Sequence, residues 1–331
     1  MTFKAIRVDK TDDGQNVRFV EMEDSELMDG DVTVRVTHST VNYKDGLALS
    51  GKSAIPRKFP LVLGIDFAGV VETSAHAGFK AGDAVFVNGF GLGETHSGGY
   101  AQRARVKGEW LLPIPEDWSA AEVMAVGTAG YTAALSVDAI EAAGVTPAQG
   151  PAVVTGAAGG VGSFATAVLA SRGFQVVAST GRADTHDYLM SLGASAIIDR
   201  SPFAEPAKRP LEGERWAGCI DSVGGNTLAR VLAQLKYGSS VAAVGLAGGS
   251  KLDSTVIPFL LRGVNLLGID SVMCPRPRRL EVWNRLQTSL PWNKVDSMCR
   301  VARLDEVPGV AAKILQGHIR GRVIIDVNDI E

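Results

Sequence analysis

Short runs of alternating apolar and polar residues fill the first third of the chain, at 3–8, 17–21, 32–40, 67–73, 84–87 and 99–106. Alternation at period two predicts strands with one buried face. Asp29-Gly30-Asp31, Gly82-Asp83 and Asn88-Gly89 punctuate these runs, so the pattern predicts a compact antiparallel barrel-like domain. From Glu122 small residues take over, with Ala125 to Ala134 reading as a tightly packed connecting helix. Beyond it, apolar runs near 152–155, 175–179, 196–199, 217–221, 240–244 and 264–268 alternate with helical patterns. Six strands joined by right-handed helical crossovers make a doubly wound parallel sheet, so the fold class is α/β with a β-barrel partner domain. After Pro275 a helix over 281–286 and a last strand over 321–327 return to the first domain. The expected division is 1–124 with 275–331 for the barrel, and 125–274 for the inserted nucleotide domain.

A length of 331 residues suits two domains and buries roughly three quarters of the unfolded surface. Formal net charge is -3 with 21% charged residues, so no global basic field draws the chain to nucleic acid or anionic lipid. Any anion site must be local. Cys219, Cys274 and Cys299 stand far apart without the close Cys or His neighbours of a zinc site or disulfide framework. The N-terminus runs straight into strand-like alternation, and no uninterrupted apolar run is long enough to span a bilayer. The expectation is a soluble cytoplasmic protein with neither membrane nor nucleic acid as partner.

The run Val153-Val154-Thr155-Gly156-Ala157-Ala158-Gly159-Gly160-Val161-Gly162 carries the sharpest chemistry. An apolar strand delivers the chain into a turn where Gly159 lets backbone approach a pyrophosphate, and Gly162 lets the following helix pack closely on the strand. Free N–H groups at that helix start face the same anion. Ala157 stands where the first glycine of G-x-G-x-x-G is expected, which weakens the bare motif; strand and helix supply its context. The next strand ends at Ser179, where an NAD site offers Asp or Glu to the ribose. This chain has Ser179, Thr180, Arg182 and Thr185, with His186 and Arg200 further on, a set suited to the 2′-phosphate of NADPH. A solvated loop with incidental arginines is the competing reading.

With these turns, Asn42-Tyr43-Lys44-Asp45, Gly64-Ile65-Asp66-Phe67-Ala68-Gly69 and Gly127-Thr128-Ala129-Gly130-Tyr131-Thr132-Ala133 resemble the medium-chain dehydrogenase/reductase superfamily over nearly the whole chain. Within it the sequence is most similar to the acrylyl-CoA reductase family, through Ser97-Gly98-Gly99, Ala104 to Gly108, Asp221 to Gly225, Gly245 to Gly249 and Asp270 to Met273. The resemblance implies a GroES-like barrel beside a Rossmann domain, a homodimer, and NADPH-dependent reduction of acrylyl-CoA to propionyl-CoA. It also implies cofactor contacts at Tyr43, Gly162, Ser163, Phe164, Ala165, Asp184, Thr185, His186, Arg200, Leu246 and Ser271. Zinc-dependent alcohol dehydrogenases of the superfamily place a cysteine near 42 and a His-Glu pair after the glycine near 64. Here Asn42 and Ile65-Asp66 stand there, so alcohol chemistry through a zinc Lewis acid is not expected.

Reduction of an enoyl thioester needs hydride at the β-carbon, donors for the developing enolate oxygen and a proton at the α-carbon. Tyr43 could donate to substrate or lie against nicotinamide, and the Asn42 amide could orient either; these two are the catalytic candidates. Asp45 and Asp66 read as structural, and His38 and His96 as packed histidines. Two basic clusters could meet the phosphates of coenzyme A: Arg276, Arg278 and Arg279, or Lys52, Arg57 and Lys58. The run Val264 to Gly268 reads as an apolar sheet edge that a second subunit or a covering loop would protect. A zinc-free quinone or enone reductase, another enoyl-CoA reductase, and a catalytically idle NADPH-binding module are the competing functions.

Overall fold

In the computed structural model, which describes residues 1–330, the backbone separates into two units. The first comprises residues 1–128, 272–280 and the chain from 299 onward; the second comprises 129–271 and 281–298.

In the first unit the strand Thr2–Thr11 pairs antiparallel with Gly14–Glu23 and, on its other side, with Leu61–Val62. A seven-stranded sheet runs in the order Cys299–Arg303, Arg322–Asp326, Val32–Thr40, Asp66–Ser74, Ala84–Asn88, Leu112–Pro113, with Arg103–Val106 also paired to Val32–Thr40. Val32, Val34 and Val36 are fully buried, as alternation predicts, and join Phe67, Val85, Tyr100, Leu111, Val323 and Ile325 in one core. Burying each such side chain contributes about 1.5–3 kcal/mol. Register shifts at Thr33/Val34 and Val36/His38 bend the long strand, as bulges do.

The second unit holds six strands, all parallel, in the order Ala194–Asp199, Val176–Thr180, Ala152–Val154, Trp216–Asp221, Leu235–Ala243, Asn265–Gly268. The order reverses between Ala152–Val154 and Trp216–Asp221, the switch point where doubly wound sheets open a crevice at their carboxyl ends. Strands covered on both faces read as continuous apolar runs, hence Val153, Val177, Cys219 and Val241 share one core.

Several expectations change. The strand expected from 99 begins at Arg103, because Tyr100 and Gln102 bond to Leu63, Lys4 and Val36 outside a regular ladder. The helix expected over 281–286 runs Arg276–Ser289 and is followed by Trp292–Met298; residues 281–298 fall in the second unit, where Arg285 pairs with Asp138 and Lys294 donates to the Leu192 carbonyl. The connecting helix Ala120–Ala142 is long and apolar enough overall to cross a membrane, although Glu122, Asp138 and Glu141 interrupt it, and 89% of its most apolar stretch is buried within the protein. Its helical geometry breaks at Gly127, with φ 46° and ψ -155°, a conformation that an L side chain resists.

Candidate functional site

The nucleotide turn is built at the carboxyl ends of the strands around the switch point. Thr155 donates to the buried Asp221 carboxylate at 2.5 Å, and Ser222 returns a hydroxyl to the Thr155 carbonyl at 3.0 Å. Burial pushes the Asp221 pKa up, while Thr155 and the Gly224 and Val223 amides pull it down. Gly159 precedes the helix Gly160–Ser171, whose first N–H to enter the helical ladder is that of Ser163 on the Gly159 carbonyl. The Gly159 N–H is spent on the Gly156 carbonyl at 3.0 Å, so those of Gly160, Val161 and Gly162 are left for an anion, on the positive end of the helix dipole. A methyl on Gly162 would collide with the Gly156 carbonyl and stand 2.6 Å from the Ala157 Cα, so this glycine is what seats the helix. Around Gly159 only the Gly156 carbonyl comes near, at 3.3 Å from such a methyl position, leaving room for a phosphate.

Ser163, Phe164 and Ala165 are placed differently from a ligand-facing reading of their side chains. All three are fully buried, and the Ser163 hydroxyl accepts from Tyr188 at 2.8 Å. The helix start offers a ligand its Gly160–Gly162 N–H groups rather than these side chains.

Where the strand Val176–Thr180 ends, Ser179 and Thr185 are 2% and 1% exposed, so their hydroxyls are not presented to solvent as the sequence suggested. Thr185 donates to the Arg182 carbonyl at 2.7 Å and lies 3.2 Å from the Thr180 hydroxyl, which in turn accepts the Arg182 N–H at 3.2 Å. These hydroxyls fold the turn that presents Arg182. Arg200 lies across Gly181: a methyl there would stand 2.6 Å from its Nε. Asp199, beside it, is held below the ordinary carboxylate pKa by the Ser201 hydroxyl and amide and, less strongly, by the charges of Arg200 and His186. Arg182 is half-buried, and His186, Arg200 and Asp184 are exposed. Leu246, 53% exposed, follows Leu235–Ala243, and half-buried Ser271 follows Asn265–Gly268, so these candidates too stand beyond strand carboxyl ends.

In the first unit a buried polar cluster surrounds the start of the helix Tyr43–Ser50. Asn42 caps it: its N–H reaches Asp45 Oδ2 at 2.8 Å, and its side-chain nitrogen reaches Thr40, Asp45 and Asp66 at 3.0, 3.2 and 3.3 Å. Its Oδ1 accepts from Arg322 at 3.0 Å. The amide is fully engaged, which corrects its reading as a group that orients substrate. Asp45 also accepts the Ile65 N–H at 3.1 Å; burial, then the neighbouring Asp66, pushes its pKa up to about 7 against the pull of Asn42. Asp66 accepts from Thr40 at 2.6 Å and from the Thr128 N–H at 3.0 Å. Arg322, 2% exposed, donates from Nε to the Ala125 carbonyl at 3.1 Å. A Cβ on Gly127 would stand 2.6 Å from Arg322 Nη2 and 3.0 Å from Asp66 Oδ2, which explains the break in the helix there. Tyr100 closes the cluster with its hydroxyl on the Thr40 carbonyl at 2.9 Å, and burial raises its pKa well above the ordinary value. Tyr43, half-buried, is the first residue of the helix and takes no part in these bonds.

Sequence reasoning missed Arg322, Tyr100, Thr40 and Thr128; an arginine inside Gly321-Arg322-Val323-Ile324 gives no sign of burial until Asn42 is known to face it. The two histidines pack as expected. His96 sets its ring nitrogens against the Ser97 and Asp29 carbonyls at 3.0 and 3.1 Å, and burial lowers the His38 pKa. The cluster of Arg276, Arg278 and Arg279 is not a solvent-facing cationic surface. Arg276 donates to the Leu111 carbonyl at 2.6 Å. Arg279, 1% exposed, donates to Asn88 Oδ1 at 2.6 Å and lies 4.4 Å over the Phe90 ring.

Residues 28–116 match the alcohol dehydrogenase GroES-like domain and residues 160–287 the zinc-binding dehydrogenase domain, which together define a two-domain oxidoreductase. Acrylyl-CoA reductase AcuI of Ruegeria pomeroyi is 55% identical over 98% of this chain and 99% of its own. The Escherichia coli YhdH structure with bound NADPH superposes with a TM-score of 0.95 at 50% identity, covering 98% of this chain and all of that one. A putative quinone oxidoreductase of Bacillus subtilis, YhfP, is 44% identical over 98% of each chain. The chain belongs to the acrylyl-CoA reductase family of the medium-chain dehydrogenase/reductase superfamily. A zinc ion, suggested by the name of the second domain, does not fit the donors: Ile65 offers none, Asn42 and both carboxylates are spent on one another and on backbone amides, and Arg322 already supplies a cation. Among the described residues no three His, Cys, Asp or Glu side chains gather as a ligand set.

Proposed function

We propose that this protein reduces the carbon–carbon double bond of acrylyl-CoA to give propionyl-CoA, with NADPH as reductant. The observation that carries the reading is the 55% identity to an acrylyl-CoA reductase over nearly the full length of both chains. The reaction balances as acrylyl-CoA, NADPH and one proton giving propionyl-CoA and NADP⁺. NADPH supplies a hydride to the β-carbon, and the α-carbon takes a proton.

On the nucleotide unit, the Gly159–Gly162 backbone and helix dipole would hold the pyrophosphate, and Arg182, Arg200 and His186 the 2′-phosphate. This corner lacks an acid where NAD enzymes pair with the ribose, and the Asp199 carboxylate beside Arg200 is engaged by Ser201. On the barrel unit, the buried cluster fixes the helix start from which Tyr43 projects, and its phenol is the side-chain donor proposed for the thioester oxygen. The site is proposed to be zinc-free, since its donors bond one another and leave enolate stabilisation to hydrogen bonds.

A homodimer is part of the proposal. Asn265–Gly268 ends the parallel sheet, and Val256, Leu260, Leu261 and Leu266 are 65%, 75%, 65% and 36% exposed beside it, a surface that a second copy would cover. A cytoplasmic location accords with three free thiols at Cys219, Cys274 and Cys299. A quinone reductase is the second reading, favoured by the name of the Bacillus subtilis relative. Rates of NADPH oxidation with acrylyl-CoA, crotonyl-CoA and a simple quinone separate the two. The proposal expects acrylyl-CoA to be the best substrate; turnover of the quinone alone would overturn it.

A further inference from the structure

Coenzyme A carries a pyrophosphate and a 3′-phosphate, which call for cations that are exposed and not already neutralised. One of the two basic clusters in the sequence is spent: Arg276 and Arg279 donate to the backbone carbonyls and side chain of their own unit. The other is not. From Gly46 to Ile65 the chain contains three cations, Lys52, Arg57 and Lys58, and no Asp or Glu. All three are exposed and none has an ion pair among the described residues, whereas nearby Lys44 is paired with Glu94 at 2.8 Å and Arg103 with both Glu72 and Asp24. In a chain of net charge -3 this is a local patch of uncompensated positive charge.

The patch sits on an anchored loop. Gly51 ends the helix Tyr43–Ser50 in the left-handed conformation, Ile55 packs on the barrel core, Pro56 is buried, and the Arg57 N–H donates to the Glu94 carbonyl at 2.7 Å. Anchoring lowers the cost of ordering the side chains around a ligand. Tyr43 opens an eight-residue helix that ends at the loop, a rise of about 12 Å along the axis from Tyr43 to Gly51. A pantetheine arm has the backbone length of about four extended peptide units, roughly 15 Å, and so spans from a thioester held at Tyr43 to phosphates held at the loop.

We propose that Lys52, Arg57 and Lys58 form the site that binds the phosphate groups of the acyl-CoA substrate, a proposal that rests on the acyl-CoA reading of function. The test compares the full-length protein with its Lys52→Gln, Arg57→Gln, Lys58→Gln triple variant, using acrylyl-CoA and acrylyl-pantetheine, which keeps the thioester and arm but lacks the phosphates. The expected result is a KM for acrylyl-CoA raised about 10- to 100-fold with kcat nearly unchanged, no change for acrylyl-pantetheine, and no change in the KM for NADPH. An unchanged KM for acrylyl-CoA, or equal losses for both thioesters, would overturn the site. If the wild-type protein reduces neither thioester, the functional reading fails, and calorimetry with coenzyme A itself decides the site: binding lost in the triple variant supports it, equal binding refutes it.

Discussion

Replacing Arg322 by Met keeps most of the buried volume and removes the only cation inside the cluster that caps the helix Tyr43–Ser50. Two hydrogen bonds from a charged donor are lost, to the Ala125 carbonyl and to Asn42 Oδ1. Each is worth about 1.5–3 kcal/mol, and Asp45 and Asp66 are left fully buried without a counter-charge. The apolar methionine recovers part of this. Removing one member of a buried charge cluster then costs about 3–5 kcal/mol in total. Because Asp45 can take up a proton near neutrality, the cost is smaller at pH 5.5 than at pH 8. Guanidinium denaturation followed by tryptophan fluorescence at both pH values measures it. Asp66→Asn in the same chain should recover stability, so that the double variant is at least about 1 kcal/mol more stable than the sum of the single changes predicts. A loss under about 1 kcal/mol at pH 8, or strict additivity, would refute the argument that Arg322 compensates the two carboxylates.

Three further outcomes follow from the same geometry. Asp45 has a folded pKa of about 7 above its ordinary 3.8, so the stability from its bound proton is complete below pH 4 and is lost as pH rises through 7; unfolding midpoints of wild type should fall from pH 6 to 8.5 more steeply than those of Asp45→Asn, and parallel profiles would contradict this. Arg182→Ala and Arg200→Ala should each weaken NADPH binding about 10-fold or more while changing NADH little, read by fluorescence titration, and equal loss for both coenzymes would remove the 2′-phosphate role. Leu260→Glu with Leu266→Glu should convert a dimer to a monomer in sedimentation analysis; a monomeric wild type, or a variant that remains dimeric, would refute the proposed interface.

The parallel strands and the glycine turn were legible because their causes are local. Strands covered on both faces must be apolar throughout, and Gly162 is forced by contact with residues five and six positions earlier. Short or polar strands were not legible: Leu61–Val62 has too few residues to show a period, and Cys299–Arg303 exposes the adjacent Arg300 and Val301 and so does not alternate. The arginines show where local reading ends. Arg279 is buried by Asn88, 191 residues away, and Arg322 by Asn42, 280 residues away, so a cation that reads as surface charge becomes a structural tie only once the chain has folded. Asn42 follows the same logic. Its position beside Tyr43 suggested contact with a ligand, and the fold spends its amide on Thr40, Asp45, Asp66 and Arg322.

The most direct test of the function supplies the protein with acrylyl-CoA and NADPH deuterated at the transferable position of the nicotinamide, then locates the label in the product by mass spectrometry. The account predicts propionyl-CoA formed one-for-one with NADPH consumed, with a single deuterium on the β-carbon. Oxidation of NADPH without propionyl-CoA, or deuterium at the α-carbon, would contradict it.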